Sequence, residues 1–356
     1  MNASPSLRKW LRRLLQAAGV LALLLLGIGL INVFKPLPAG ISFAGDWRGG
    51  TDVRFLRDLT FVDENGQRHV EQEIFDAAFD MIDGAREFVL VDMFLFNDFQ
   101  GASPETTRAL CRELTDRLVA RRAAVPGIEI HFITDPINTV YGGLTSPHLE
   151  ELRQAGVKVT MTRLSRLRDS NPLYSSFWRL LFLPFGNTEG GWLPNPFGDG
   201  KVSLRSYLAL GNFKANHRKV VIADTAGGLR GLVTSANPHD GSSAHQNVAL
   251  QFGGPAVADL LEAERAVIRF SGGQDVVFRA AAAADEAPAV EVQILSEGQI
   301  KRAVLEAINR TGAGDSLDLV MFYLSDRDII QALLAAQRRG VALRVVLDPN
   351  KDAFGH

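Results

Sequence analysis

Apolar and polar positions change their spacing along the chain. From Leu14 to Phe34, "LLQAAGVLALLLLGIGLINVF", no charge interrupts 21 positions. Beyond the short "KPLPAG" segment, stretches with apolar residues three or four apart alternate with stretches where they are contiguous or two apart. In "TTRALCRELTDRLVARR" Leu110, Leu114 and Leu118 recur at helical spacing, "SPHLEELRQAG" reads as a helix, and "VKVTMTRL" reads as a strand. This alternation predicts an α/β layered fold of the α-β-α kind.

The pattern occurs twice. "IFDAAFDMIDGAREFVLVDMFLFND" (Ile74 to Asp98) parallels "IKRAVLEAINRTGAGDSLDLVMFYLSD" (Ile300 to Asp326): a helix, a polar turn and an apolar strand containing Met-Phe. After a further helix in each, "GIEIHFITDP" (Gly127 to Pro136) matches "GVALRVVLDP" (Gly340 to Pro349) position for position. The shared order predicts a duplicated domain. In the first copy 82 residues separate Asp135 from His217, whereas eight follow Asp348, so the second copy is expected to be incomplete. The alanine-rich "FRAAAAADEAPAVEV" reads as the linker. The expected division is 1–40 (basic tail, anchor and linker), 41–275 (first domain), 276–292 (linker) and 293–356 (unfinished second domain).

As a helix, the 21 uncharged residues rise roughly 32 Å, enough to cross the hydrocarbon core. Arg8, Lys9, Arg12 and Arg13 precede them, which predicts a single-pass anchor with a cytoplasmic N-terminus and an extracytoplasmic folded part. A cleaved signal peptide is the alternative, but the apolar run exceeds a usual h-region and no clear small-x-small site follows.

Charge narrows the partners. The first 35 residues hold five of the 38 basic side chains and no acidic one, leaving 33 basic against 40 acidic groups in the rest. A folded part of about −7 argues against a general nucleic-acid binder, which needs clustered Lys and Arg. Cys111, the only cysteine, excludes an intramolecular disulfide and a four-cysteine zinc site, and its place among the leucines marks an inert helix residue.

The densest chemistry lies in "ANHRKVVIADTAGGLRGLVTSAN", Ala215 to Asn237. "FKANHRKVVIAD" is strand-like, so His217 and Lys219, two apart, share a face while Arg218 points away. "TAGG" supplies a reversal, and "LVTSAN" returns with Ser235 and Asn237 two apart. In register, an imidazole, an ammonium, a hydroxyl and an amide would converge, a set suited to phosphate. His239 and His245 with Asp240, in "NPHDGSSAHQN", have poor metal-ligand spacing and read as polar loop residues near the site; no metal or other cofactor is expected. His131, alternating with apolar neighbours, reads as a satisfied core histidine.

His217-x-Lys219, with Asp224 five residues beyond the lysine and Ser235-x-Asn237 after it, resembles the signature motif of the phospholipase D superfamily. The duplicated α/β halves resemble its two-copy architecture, and the similarity runs roughly from Asp46 to the C-terminus. The resemblance implies a Mg-independent phosphodiesterase or phosphatidyltransferase working through a phosphohistidine. A histidine of a second motif would protonate the leaving alcohol. On that analogy His217 is the nucleophile, Lys219 and Asn237 bind phosphate oxygens, Ser235 is a further donor, and Asp224 is mostly structural. Two departures stand out. Thr234 occupies the place of a common glycine, and Asn247-Val248-Ala249 stands where the family carries Asn-x-Glu, so the carboxylate that orients the histidine is missing from its usual position, with Gln246 or Asp240 as candidate substitutes. Of the seven histidines only His217 begins a His-x-Lys, so the stretch is half of an active site. Either two chains share their motifs as a homodimer, or the chain is an incomplete form of a longer enzyme; the unfinished repeat favours the latter.

Between the strand at "TRL" and His217 lies "SSFWRLLFLPFGNTEGGWLPNPFGDG", a long irregular segment whose aromatic and leucine side chains suit an acyl-chain groove, a membrane surface, or packing under a loop. Together with the anchor this points to a phospholipid substrate, as for cardiolipin-synthase-like transfer or phospholipase D hydrolysis. A nuclease of the same superfamily and a catalytically silent anchored scaffold are the alternatives.

Overall fold

A computed structural model describes residues 5–100, 108–279 and 290–348. The centre of the alanine-rich linker and the residues after Asp348, including the Pro349 of the second Asp-Pro, lie outside the described residues. The chain forms two compact units. One comprises the chain up to Gly40 together with Trp47–Val292; the other comprises Ile41–Asp46 and the chain from Gln293 onward. Ile41–Asp46 thus groups with the second unit rather than with the first domain.

In the first unit, helix α1 (Pro5–Phe34) precedes strands β1 (Arg48–Val62) and β2 (Arg68–Gln72). There follow α2 (Ile74–Gly84), β3 (Phe88–Met93), α3 (Leu110–Ala124), β4 (Glu129–Thr134), α4 (Pro147–Gln154) and β5 (Lys158–Met161). Where an irregular segment was expected, the chain forms α5 (Pro172–Leu181), the short strands β6 (Leu193–Pro194) and β7 (Lys201–Val202), and α6 (Leu204–Leu210). Apolar residues at helical spacing in "FWRLL", with Pro172 in the first turn, account for α5. Strands β8 (Lys219–Thr225), β9 (Gly228–Thr234) and β10 (Asn247–Gly253), helix α7 (Ala256–Ser271) and strand β11 (Val290–Val292) complete the unit.

One sheet runs in the order β11-β1-β10-β9-β8-β3-β4-β5, with β2 paired to β1. Strands β3, β4 and β5 are parallel, joined by α3 and α4; β8 runs antiparallel to β3. Every residue of β3 is buried, as a central strand covered on both faces requires. Val89, Val91, Val221 and Ala223 share a core with Ile82, Leu114, Leu118, Leu149 and the buried Cys111, so α2, α3 and α4 cover one face. On the other face α7 packs closely enough that a Cβ on Gly231 would lie 2.9 Å from Leu260 Cδ2. The architecture is the expected layered α/β arrangement.

The second unit holds α8 (Gly298–Arg310), β12 (Ser316–Met321), α9 (Arg327–Arg338) and β13 (Ala342–Leu347) around Ile308, Leu333, Ala336 and Val341. Its element order repeats α2-β3-α3-β4, and the register repeats as well. Phe88 pairs with Glu129 in β3–β4, and the residues that align with them in sequence, Ser316 and Ala342, pair in β12–β13.

Candidate active site

The sequence places three functional segments at one end of the sheet. Strand β8 begins at Lys219, opposite Met93 at the carboxyl end of β3, with Asp135 just past the neighbouring end of β4. Open parallel sheets bind ligands outside the carboxyl ends of their strands. The predicted strand through "FKANH" is not formed: the chain before Lys219 is irregular because side chains hold it. Asp135 accepts from the backbone N–H of Asn216 at 2.7 Å, and the Asn216 amide donates to both oxygens of Asp92 at 2.9 Å.

These anchors leave His217 exposed and Lys219 buried. The Lys219 ammonium lies 3.1 Å from His217 Nδ1 and donates to the His217 carbonyl at 2.8 Å. Phe94 packs beneath both, its ring centroid 4.5 Å from the imidazole and 5.0 Å from the ammonium. Arg218 turns to the opposite face, where it donates to Glu264 of α7 at 3.2 Å. Donation by Lys219 requires an unprotonated Nδ1 and so puts the ring proton on Nε2 in the free protein.

The surrounding protein, and then the Lys219 charge, push the His217 pKa down to about 4. The ring is neutral at pH 7 although one side meets solvent. Burial lowers Lys219 to about 8 against the pull of Asp92 and Asp135, so it stays largely protonated near neutrality. Asp135 is raised to about 7 by burial, opposed by the N–H groups of Ile137 and Asn216.

The other predicted residues are dispersed. Asp224 sits at the far end of β8, where its carboxylate accepts the backbone N–H groups of Arg86, Glu87 and Phe88, the last at 2.7 Å. Asn237 Oδ1 accepts from Leu95 N at 3.1 Å, pinning the loop that carries Phe94, and Asn138 holds the same loop through Phe96 N and the Phe94 carbonyl. Ser235 takes a different direction. Strand β9 ends at Thr234, whose hydroxyl accepts from Ala236 N, and the register pairing Val220 with Val233 carries Thr234, not Ser235, opposite Lys219. The Ser235 hydroxyl donates to Asn247 at 2.8 Å.

Neither proposed substitute carboxylate position faces His217. Asp240 accepts from Cys111 N, and Gln246 donates to the Thr60 carbonyl. Both are spent on joining loop to scaffold. His239 Nδ1 lies 3.0 Å from the Ser242 hydroxyl, and no metal-binding group of three or more His, Cys, Asp or Glu occurs among the described residues. His131 is fully buried, but only Nε2 is bonded, to Glu129; Nδ1 has no partner, so it is a core histidine satisfied on one side. Burial raises the Cys111 thiol far out of the reactive range.

Sequence inspection missed the buried polar layer under the histidine. Asp92 faces Glu264 within hydrogen-bonding reach, and burial followed by that neighbour raises its pKa well above the carboxylate range. Glu264 Oε2 has no conventional donor, so a proton on Asp92 supplies one. Two signals were available: Asp92 interrupts an apolar strand, where the second copy has Val320, and Glu264 falls on the apolar face of α7 between Leu260 and Val267.

Comparison with known proteins gives one family match and several structural likenesses. Residues 304–355 match the family described as "Cardiolipin synthase, PLD-like domain". That match covers the second copy of the repeat and less than half of the chain. Among solved structures, it is similar to Nuc of Salmonella typhimurium, a phospholipase D family member, at 13% identity and TM-score 0.32, covering 63% of this chain and 97% of that one. Polyphosphate kinase of Porphyromonas gingivalis matches at 11% identity and TM-score 0.42, over 85% of this chain and 39% of that one. Phosphatidylserine synthase of Haemophilus influenzae matches at 10% and 0.44, over 90% and 65%. No curated protein sequence matches.

Proposed function

We propose that the protein is a membrane-associated phosphodiesterase or phosphatidyltransferase of the phospholipase D type, acting on phospholipids with His217 as nucleophile. The observation that carries this reading is the exposed imidazole held 3.1 Å from a buried lysine amine at the carboxyl end of the sheet.

When a phosphate oxygen takes the Lys219 ammonium, Nδ1 loses its donor. The exposed ring then exchanges its proton with solvent, and the nitrogen left with a lone pair attacks phosphorus. An N–P bond forms as the P–O bond to the leaving alcohol breaks, and that alcohol takes a proton from a general acid. Water, or a second alcohol, then displaces the histidine and returns a proton to the acid. Lys219 and the Asn237 amide stabilise the charge on the phosphoryl oxygens. No second imidazole stands beside His217 among the described hydrogen-bond and ring partners, so the acid comes from elsewhere, as when two chains share one site. Asp224 and Ser235 support the scaffold. Helix α1, long and apolar enough over Lys9–Phe34 to cross a bilayer, anchors the protein with its basic end cytoplasmic and the folded units outside.

The test is turnover of phosphatidylglycerol or phosphatidylcholine by the full chain in vesicles, without added metal, with ³²P trapping of the intermediate. Head-group release or exchange that disappears in His217→Ala, together with label on wild-type protein only, supports the reading. Equal turnover by the variant would end it. A rate per chain that rises with protein density in the membrane identifies a shared site.

A further inference from the structure

We infer that α5 and the turn after it lie in the lipid of the outer leaflet beside α1, and that the cavity behind them takes an acyl chain. This rests on α1 spanning the bilayer, not on the catalytic reading.

The argument starts from depth. The uncharged run ends at Phe34, and its length matches the hydrocarbon thickness, so Lys35 marks the outer boundary. Residues before and within α5 descend along α1 from that level. Lys35 Nζ donates to the Ser165 carbonyl at 3.0 Å, and Asp169 N donates to the Asn32 carbonyl at 3.1 Å. At Gly29 the helices are so close that a Cβ would sit 2.9 Å from Ser176 Oγ. Gly29 is five residues inside the run, roughly 8 Å below the boundary. Whatever packs on it is at hydrocarbon depth.

The exposed side of α5 fits that environment. Leu173, Phe177 and Leu181 form one stripe at intervals of four and are 85%, 47% and 49% exposed; Phe185, just beyond, is 68% exposed. In water these would be an unexplained apolar patch; beside α1 they extend its lipid-facing surface. Of the charges nearby, Arg179 and Lys214 share the buried Asp169, at 2.7 and 2.6 Å, and Arg205 donates to the Phe185 carbonyl at 3.1 Å. Cations at this depth are held by a carboxylate or by backbone carbonyls.

Trp178, Phe182, Leu183 and Leu164 line a cavity of about 210 Å³ together with Pro136 and Lys214. Pro136 follows Asp135, and Lys214 lies three residues before His217, so the cavity adjoins the segments that carry the candidate nucleophile. A lining of mostly apolar side chains, adjoining those segments, suits an acyl chain.

The experiment uses the full chain in phosphatidylcholine/phosphatidylglycerol vesicles, with Cys111→Ser as background and spin labels on Phe177→Cys, Leu181→Cys, Leu23→Cys in α1, and Glu64→Cys in the β1–β2 turn. Expected are oxygen collisions and loss of collisions with a polar nickel chelate at 177 and 181, as at 23 and unlike 64. Chelate access at 177 and 181 with 23 protected overturns the inference while sparing the anchor. Immobile labels shielded from both reagents mean a protein covers the stripe, which also overturns it. Chelate access at 23 as well removes the anchor and the inference together. For the cavity, in a background where the other three tryptophans are Phe, Ala209→Leu should abolish quenching of Trp178 by acyl-chain-brominated lipid; unquenched Trp178 without Ala209→Leu overturns the acyl-chain assignment.

Discussion

Lys219 Nζ and His217 Nδ1 are 3.1 Å apart, although strand geometry alone would let two side chains on one face stand further from each other. Burial lowers the proton affinity of both, and the Lys219 charge lowers that of His217 further.

These shifts set a pH profile. Turnover should rise with pH as His217 deprotonates near 4 and fall as Lys219 loses its charge near 8. Lys219→Arg keeps the cation and should move the alkaline limb upward. Lys219→Met should lower kcat/KM by roughly 10²- to 10³-fold, the usual cost of one oxyanion donor. Profiles of kcat/KM on mixed vesicles provide the check, and an unchanged alkaline limb in Lys219→Arg would separate Lys219 from it.

Asp224 should matter to stability rather than to rate. Its carboxylate gathers three backbone N–H groups at the start of β3, on the opposite end of the strand from His217. Asp224→Ala should cost about 1.5–3 kcal/mol, the range for hydrogen bonds to a charged group. Denaturant unfolding measures this, and activity per folded molecule should stay close to wild type.

The Asp92–Glu264 pair predicts a distinctive substitution pattern. Asp92→Asn keeps an acceptor for Asn216 and gives Glu264 a donor, so its stability should lie near wild type at low pH. Asp92→Val leaves Asn216 and Glu264 unsatisfied and should cost about 1–3 kcal/mol for each group stranded. The native state retains a proton that the unfolded chain releases above about pH 4. Wild type should therefore lose stability relative to Asp92→Asn as pH rises from there toward the raised pKa of Asp92. Parallel pH slopes for the two proteins would show that Asp92 carries no such proton.

Asn237 and Ser235 should separate in assays. Asn237 pins Leu95, and with it the loop of Phe94, so Asn237→Ala should lower kcat/KM by at least tenfold and loosen that loop in amide exchange. Ser235, tied to Asn247 at the surface, should tolerate alanine with less than about 1 kcal/mol and little change in rate.

Much of the architecture was legible in the sequence because it follows from local periodicity. The duplication could be read from "VDMF" against "LVMF" and from the two Asp-Pro ends, and the matching registers of Phe88–Glu129 and Ser316–Ala342 express the same repeat in space. Strands β1 and β2 and helix α5 were not singled out, since their patterns compete with charges, glycines and prolines nearby.

By itself the sequence determined the helix-strand alternation of the two repeats, the uncharged N-terminal run and the His-x-Lys spacing, because each depends on residues close in the chain. Tertiary structure alone decided which polar groups meet. Ser235 turned away because the β8–β9 register alternates faces, and Asp240 was claimed by α3. Asp92, Asn216 and Glu264 came together from β3, the segment before β8, and α7, where burial obliges each polar atom to find a partner that no sequence spacing announces.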